Sequence, residues 1–276
     1  MSGTLYVVST PIGHLEDITQ RALRILGEVA VVAAEDTRRS GQLLDSLGIS
    51  ARLLSCHDHN EGERVGQFLN LLGEGQSIAL VSDAGTPLVS DPGYRLVRAC
   101  QDAGVPVVPV PGASAVLAAL AVAGQPTDRF LFEGFLPSKG AAREQAVRAV
   151  LAQTATTVLF EAPHRLLALL EALERAGGGE REITLCRELT KHFETVLRMT
   201  VSALRARVAE DADQQRGEVV LVLSGAPAAD VDDADLARLA PLLLAEMPVS
   251  RVAKLLAAYS GRKRQELYAW LETLTP

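Results

Sequence analysis

The sequence predicts an α/β fold in two domains followed by a helical tail, and three observations carry that prediction. Short runs rich in Val, Ile and Leu alternate with longer amphipathic stretches, the pattern of strands joined by crossover helices. One such stretch, LEDITQRALRILGEV (residues 15–29), places Ile18, Ala22, Ile25 and Leu26 on one helical face. At 276 residues the chain is long enough for two cores, and GQPTDRF (residues 124–130) reads as a linker between them.

Taken in order, strands are expected at TLYVVS (4–9), VAVVAAE (29–35), SIALVS (77–82) and VPVVPVPG (105–112). The Ala- and Leu-rich stretch from Gly112 to Ala123 reads as a helix packed close to that sheet. Beyond the linker, RFLFEGF, TTVLFEA, EITLCRE, ETVLRMT and GEVVLVLS read as strands, spaced so that hairpin pairing makes the second sheet mixed. The expected division is therefore an N-terminal α/β domain over residues 1–124, a second α/β domain over 125–225 and a basic helical extension over 236–276. In the extension Val252, Leu255, Leu256 and Tyr259 fall on one face. After the turn Ser260-Gly261, residues Leu267, Trp270, Leu271 and Leu274 form another, so the pair resembles half of a helix-turn-helix unit.

Composition narrows the functional classes. Hydrophobic residues make up 48% and charged residues 22%, an ordinary globular profile without a disorder signature. The apolar run AVLAALAVAG stops at Gln125, too early to cross a bilayer, and no secretory signal pattern opens the chain. Cys56, Cys100 and Cys186 lie far apart, form no metal-type pair and read as reduced thiols, so the expected compartment is the cytoplasm. A formal net charge of −7 counts against indiscriminate nucleic-acid binding, yet charge is segregated along the chain. Residues 250–265 carry five Lys/Arg (Arg251, Lys254, Arg262, Lys263 and Arg264) and no acid, whereas residues 226–235 carry four aspartates.

Four loops follow strands, where ligands sit in open α/β sheets. They are STPIGHLEDIT (9–19), AEDTRRS (34–40), VSDAGTPLVSDPG (81–93) and VPGASA (110–115). The last two offer backbone amides beside Gly85, Gly93 and Gly112 together with Asp and Ser side chains, which suits a ligand bearing hydroxyls and an amino-acid moiety. Neither G-x-G-x-x-G nor G-x-x-x-x-G-K-[ST] is present, so the usual dinucleotide and P-loop readings lose support.

With TPIGHLEDIT, AEDTRRS, VSDAGTPLVSDPG, VPGASA, FEGFLP, FEAPHR and CRELTKHFE in register, the chain resembles the tetrapyrrole methylase superfamily. Within it the chain is similar to the ribosomal small-subunit RNA methyltransferase I branch, tail included. Departures are small: His14 stands where Asn is more usual and Asp58 where Glu is common. The resemblance implies a two-domain α/β subunit with S-adenosylmethionine in a cleft between the domains. It also implies a homodimer and methylation of a cytidine ribose 2′-oxygen in 16S ribosomal RNA, free or in the small subunit. Residue by residue, it implies cofactor contacts at Pro11, Asp83, Ala84, Gly85, Thr86, Val89, Ser114, Ala115 and Glu161.

Methyl transfer to a hydroxyl needs a destination for the proton, and strand-end motifs offer Asp36, Glu133, Glu161 and Lys191 as catalytic candidates. Asp36 equally suits a helix N-cap, and Lys191 a solvated surface. Candidate RNA contacts are Arg38 and Arg39, His164 and Arg165 at a helix start, and the five basic residues of the tail. CHDHNE (56–61) lacks a third ligand cluster and is assigned no metal; Asn60 reads as the N-cap of the following helix. Two alternatives remain beside RNA ribose methylation: a tetrapyrrole C-methyltransferase, disfavoured by TPIGHLED and the basic tail, and a non-catalytic nucleotide-binding regulator, disfavoured by the clustered acids.

Overall fold

The computed structural model describes residues 2–227 and 233–274 and divides into two compact units, Met1–Ser224 and Gly225–Pro276. The first unit opens with strands β1 (Leu5–Val8), β2 (Val31–Ala34), β3 (Leu53–Ser55), β4 (Ile78–Val81) and β5 (Val107–Val110). Helices α1 (Gln20–Glu28), α2 (Thr37–Ser46), α3 (Glu61–Gly73), α4 (Tyr94–Asp102) and α5 (Ala115–Ala123) accompany them. The strands form one wholly parallel sheet in the order β3-β2-β4-β1-β5. β2 and β4 are buried along their whole length, as expected of strands covered on both faces. One face carries Leu5, Ala33, Phe68, Leu80 and Leu96, and the other Val8, Ala22, Leu26, Val32 and Ala79.

The chain continues through β6 (Phe130–Phe135), α6 (Gly140–Ala152), β7 (Thr156–Glu161), α7 (Leu166–Leu173), β8 (Glu182–Arg187), β9 (Thr195–Thr200), α8 (Val201–Glu210) and β10 (Val219–Leu223). This second sheet runs β6-β7-β10-β8-β9; β6 and β7 are parallel and every other pairing is antiparallel, so it is mixed as expected. α5 packs on it: Val116, Ala119, Leu120 and Ala123 share a core with Val158, Cys186, Val220 and Val222. The Thr184 hydroxyl also donates to the Ala123 carbonyl at 2.9 Å. All three cysteines are free and buried, and burial pushes the Cys56 and Cys186 thiols up to about 12.

Four sequence expectations are corrected. β3 was not anticipated, because three half-buried residues carry too little periodicity. The expected helix over 15–29 is broken: Leu15–Asp17 is a 3₁₀ turn capped by His14, and α1 starts afresh after Thr19, whose hydroxyl accepts the Ala22 N–H at 3.1 Å. The helix expected from Gly112 begins only at Ala115, since Ser114 takes the N-cap position. Asn60 occupies the N-cap of α3 without capping it; its Oδ1 accepts the His57 N–H at 2.8 Å and its Nδ2 donates to Ser55.

The second unit holds α9 (Asp233–Leu244), α10 (Val249–Ser260) and α11 (Arg264–Glu272), with Gly261 in the left-handed conformation between the last two. Its core is Leu236, Ala240, Val252, Ala253, Leu256, Leu267 and Leu271. Of the residues expected to share faces, Val252, Leu256, Leu267 and Leu271 are buried, whereas Leu255, Tyr259 and Leu274 are exposed. Of the four aspartates in residues 226–235, Asp230 and Asp232 lie outside the described residues, and Asp233 and Asp235 lie in the first turn of α9.

Candidate active site

The loops after β1, β4 and β5 meet at the carboxyl edge of the parallel sheet. Thr10 and Gly85 exchange backbone hydrogen bonds, Thr10 N–H to Gly85 O at 2.8 Å and Gly85 N–H to Thr10 O at 3.1 Å. Thr86 Oγ1 lies 2.9 Å from Ser9 Oγ and donates to Ala113 O at 3.0 Å, tying in the third loop. Gly85 has φ of +81°, and a Cβ there would stand 3.3 Å from Ile12 Cγ2. At Gly112 a Cβ would come within 2.9 Å of Ser9 Cβ. Small residues at these points keep the loops close to each other and leave the space above them open.

That space is a cavity of 360 Å³ bounded by both sheets, within the range for small-molecule sites. The parallel sheet contributes Ile12, Arg39, Asp83, Ala84, Gly85, Thr86, Val89, Ser90, Asp91 and Ser114 to Val116. The mixed sheet contributes Phe135, Phe160 to Pro163 and Gly217 to Val220. Phe160 stands edge-on to Phe132 and Phe135, with centroids 4.9 and 5.6 Å away. An adjoining apolar hollow of 480 Å³ shares Thr86, Val89, Ser114 and Val116. Leu88 and Ser90, with φ of 72° and 65°, hold the loop between Gly85 and Asp91 in the left-handed region. All nine residues expected to hold the cofactor therefore line one cavity except Pro11, which is buried between Thr10 and Ile12.

The acidic candidates separate by environment. Asp36 caps α2: its carboxylate accepts the Arg38 N–H at 2.9 Å and pairs with the Arg38 guanidinium at 3.0 Å. These bonds, side chain first, hold Asp36 down to about 2. Glu133 is exposed at an irregularity of β6 and does not line the cavity. The Glu161 carboxylate has no exposure and lies between Arg165 Nε at 3.0 Å and Arg143 Nη2 at 3.5 Å. Lys191 pairs with Glu188 at 2.8 Å and Glu218 at 3.0 Å; burial opposes its charge, yet those bonds outweigh it and raise the pKa. A Cβ at Gly13 would overlap the Lys191 side chain at 2.4 Å, so this lysine is also packed against the loop after β1.

Two carboxyl groups that the sequence reading passed over stand out. Asp91 lines the cavity, and its pKa is raised by burial first and then by Asp83 and Asp58, against a hydrogen bond from Ser82. Glu35 is raised likewise by burial and by Asp91 and Asp83. The sequence signal was present in SDPG and AED, but turn chemistry accounts for an Asp before Pro-Gly equally well. Asp83 is partly neutralised by Arg39 at 3.0 Å, and accepts the Asp36 N–H at 3.1 Å. Of the expected RNA contacts outside the tail, Arg39 lines the cavity, Arg38 stays with Asp36 and His164 is exposed. Arg165 is turned inward, bonded to Glu161 and to the Leu136 carbonyl at 2.6 Å.

Residues 4–205 match the family profile described as Tetrapyrrole (Corrin/Porphyrin) Methylases, and residues 230–275 that of the RsmI C-terminal HTH domain. A Pseudomonas aeruginosa protein named Ribosomal RNA small subunit methyltransferase I is 50% identical over 270 residues, 97% of this chain and 96% of its own length. The protein of that name from Escherichia coli O157:H7 is 49% identical over 97% of this chain and 94% of its own. Among solved structures, uroporphyrin-III-C-methyltransferase from Thermus thermophilus is similar with a TM-score of 0.57 at 24% identity, covering 80% of this chain and 94% of its own; that likeness concerns the fold alone.

Proposed function

This chain belongs to the tetrapyrrole methylase superfamily and within it to the ribosomal RNA small subunit methyltransferase I family, and from that premise we propose that it methylates a cytidine ribose 2′-oxygen of 16S ribosomal RNA with S-adenosylmethionine. The observation that carries the reading is the cavity, where a glycine-lined cradle meets an acidic rim. The donor is a cation whose adenosyl and amino-acid parts suit the backbone edges of Gly85, Thr86, Ser114 and Ala115 and the carboxylate of Asp83. Residues 1–124 and 125–225 act as the two walls of this site. Bound there, S-adenosylmethionine supplies an electrophilic methyl group.

The chain's own residues then orient the acceptor and take its proton. Positioning alone supplies up to about 7–11 kcal/mol in favourable cases, and a placed base adds about 10²–10⁴-fold. Asp36, held down by Arg38, is a weak base; Lys191 keeps its proton; and Glu161 is enclosed by arginines. Asp91 is the carboxylate that both lines the cavity and binds a proton more firmly than usual. It accepts only when ionised, so transfer rises with pH through a midpoint above the usual aspartate value. Asp91→Asn is expected to flatten that limb and slow single turnover by about 10²–10⁴-fold, with calorimetric cofactor affinity nearly unchanged. A parental rate in this variant would remove Asp91 from the reaction. The function itself is tested by primer extension at low nucleotide concentration on 16S RNA from a deletion strain: loss of one ribose-methyl stop, restored by the gene, is expected.

The chain acts in the cytoplasm as a homodimer in this reading. α5, AVLAALAVA, carries no polar side chain, and only one face is used by the core. Leu117 and Val122 remain 59% and 50% exposed, an apolar face that suits a second subunit. Leu117→Glu with Val122→Glu is expected to yield monomers in sedimentation equilibrium; an unchanged dimer mass would place the interface elsewhere.

A further inference from the structure

The five basic residues of the tail are not equivalent. Arg262 is bound to Asp233 at 2.5 Å, Lys263 lies 3.8 Å from Glu266, and Arg264 donates to the Ser250 carbonyl at 3.4 Å. Arg251 and Lys254 are exposed and have no carboxylate partner among the described residues. Both stand on α10, opposite the face that buries Val252, Ala253 and Leu256. At 100° per residue, Leu255 lies beside Arg251 and Tyr259 one further step round on the flank of the helix, and they are 45% and 59% exposed. Arg251, Leu255 and Tyr259 follow one another at intervals of four, a stripe about 12 Å long. No Asp or Glu occurs anywhere in α10.

We infer that the exposed surface of α10, from its outer face to the flank that bears Tyr259, is an RNA-binding surface for an unpaired segment, with Arg251 and Lys254 on phosphates and Tyr259 stacked on a base. The inference rests on the reading of this chain as an RNA methyltransferase and goes beyond it in naming the helix, the residues and the kind of RNA. Charge complementarity chooses the partner, because an acid-free cationic stripe on a chain of net charge −7 fits a polyanion. The exposed aromatic chooses the form of RNA. Bases inside a duplex present no face to a side chain, whereas unpaired bases stack on Tyr without regard to sequence. A duplex reader of helix-turn-helix type would instead work through the start of the second helix, here Lys263 and Arg264. Those cations are already engaged within the tail.

The test compares full-length variants by fluorescence anisotropy, using a labelled unpaired oligoribonucleotide and the same strand annealed into a duplex. Arg251→Gln with Lys254→Gln is expected to weaken the unpaired probe and flatten its salt dependence by up to about 1.4, or 0.7 per phosphate contact. Tyr259→Ala is expected to weaken the unpaired probe roughly 5- to 150-fold, with little change in salt slope or duplex binding, and Tyr259→Phe should restore affinity. Parental affinity in Tyr259→Ala, or equal loss on both probes, overturns the stacking surface. If Arg262→Gln with Lys263→Gln flattens the slope and the α10 pair does not, RNA lies on the turn and the inference fails while the tail remains an RNA element. If neither pair changes the slope, RNA binding by the tail itself is refuted.

Discussion

Glu161→Gln is expected to lower unfolding stability by about 3–5 kcal/mol, seen as a fall of roughly 6–20 °C in melting temperature. The carboxylate has no exposure, and the Arg143 and Arg165 side chains around it are 7% and 23% exposed. Glutamine keeps the shape but not the charge, so two guanidiniums would face each other where water reaches Arg143 hardly at all and Arg165 only in part. Arg143 also donates to Ser138 O at 2.9 Å and Arg165 to Leu136 O at 2.6 Å, so the loop after β6 rests on the same cluster. Transfer by the variant should fall mainly through weaker cofactor and RNA binding, since Ala162 and Pro163 form part of the cavity wall. A differential scan with an unshifted melting point, together with a collapsed single-turnover rate, would reverse this assignment and return Glu161 to the reacting groups.

Glu161 shows where sequence reasoning stops. A carboxylate at the end of an apolar strand must have a partner, and that much is legible in TTVLFEA. Whether the partner is a ligand or an arginine depends on α6, which arrives from outside the motif and brings Arg143. Strand positions were legible because Val, Ile and Leu runs have few other uses, and β2 and β4 fell where VAVVAAE and SIALVS placed them. β3 escaped because its three residues are only half buried. The cofactor loop could be read from its glycines and its resemblance. The raised pKa of Asp91 could not: it arises first from burial, then from Asp83 on the same loop and from Asp58, which the loop after β3 brings alongside only when β3, β2 and β4 stand side by side. In the tail, helical periodicity put Leu255 and Tyr259 on one face with Val252 and Leu256, but hydrophobicity alone does not tell which residues of such a face are buried and which remain exposed.

The same contrast between local and converging signals makes Gly85 the sharpest probe of the cavity. Gly85→Val is expected to weaken S-adenosylmethionine binding by at least roughly 5- to 150-fold, the equivalent of about 1–3 kcal/mol of overpacking. Two independent costs fall on this position. Its φ of +81° is open to glycine but strained for a β-branched residue, and its Cβ would already stand 3.3 Å from Ile12 Cγ2 before the valine methyls are added. The backbone has little freedom to retreat, because the Gly85 N–H and carbonyl are both bonded to Thr10, at 3.1 and 2.8 Å. Strain is therefore relieved only by displacing Ile12 or by pushing side-chain atoms into the cavity that both residues line. Gly85→Ala carries the same backbone cost with less volume, so an intermediate affinity is expected from it. Titration calorimetry on all three proteins, with melting curves to show that each remains folded, decides the matter: equal affinities would mean that the donor does not approach this loop.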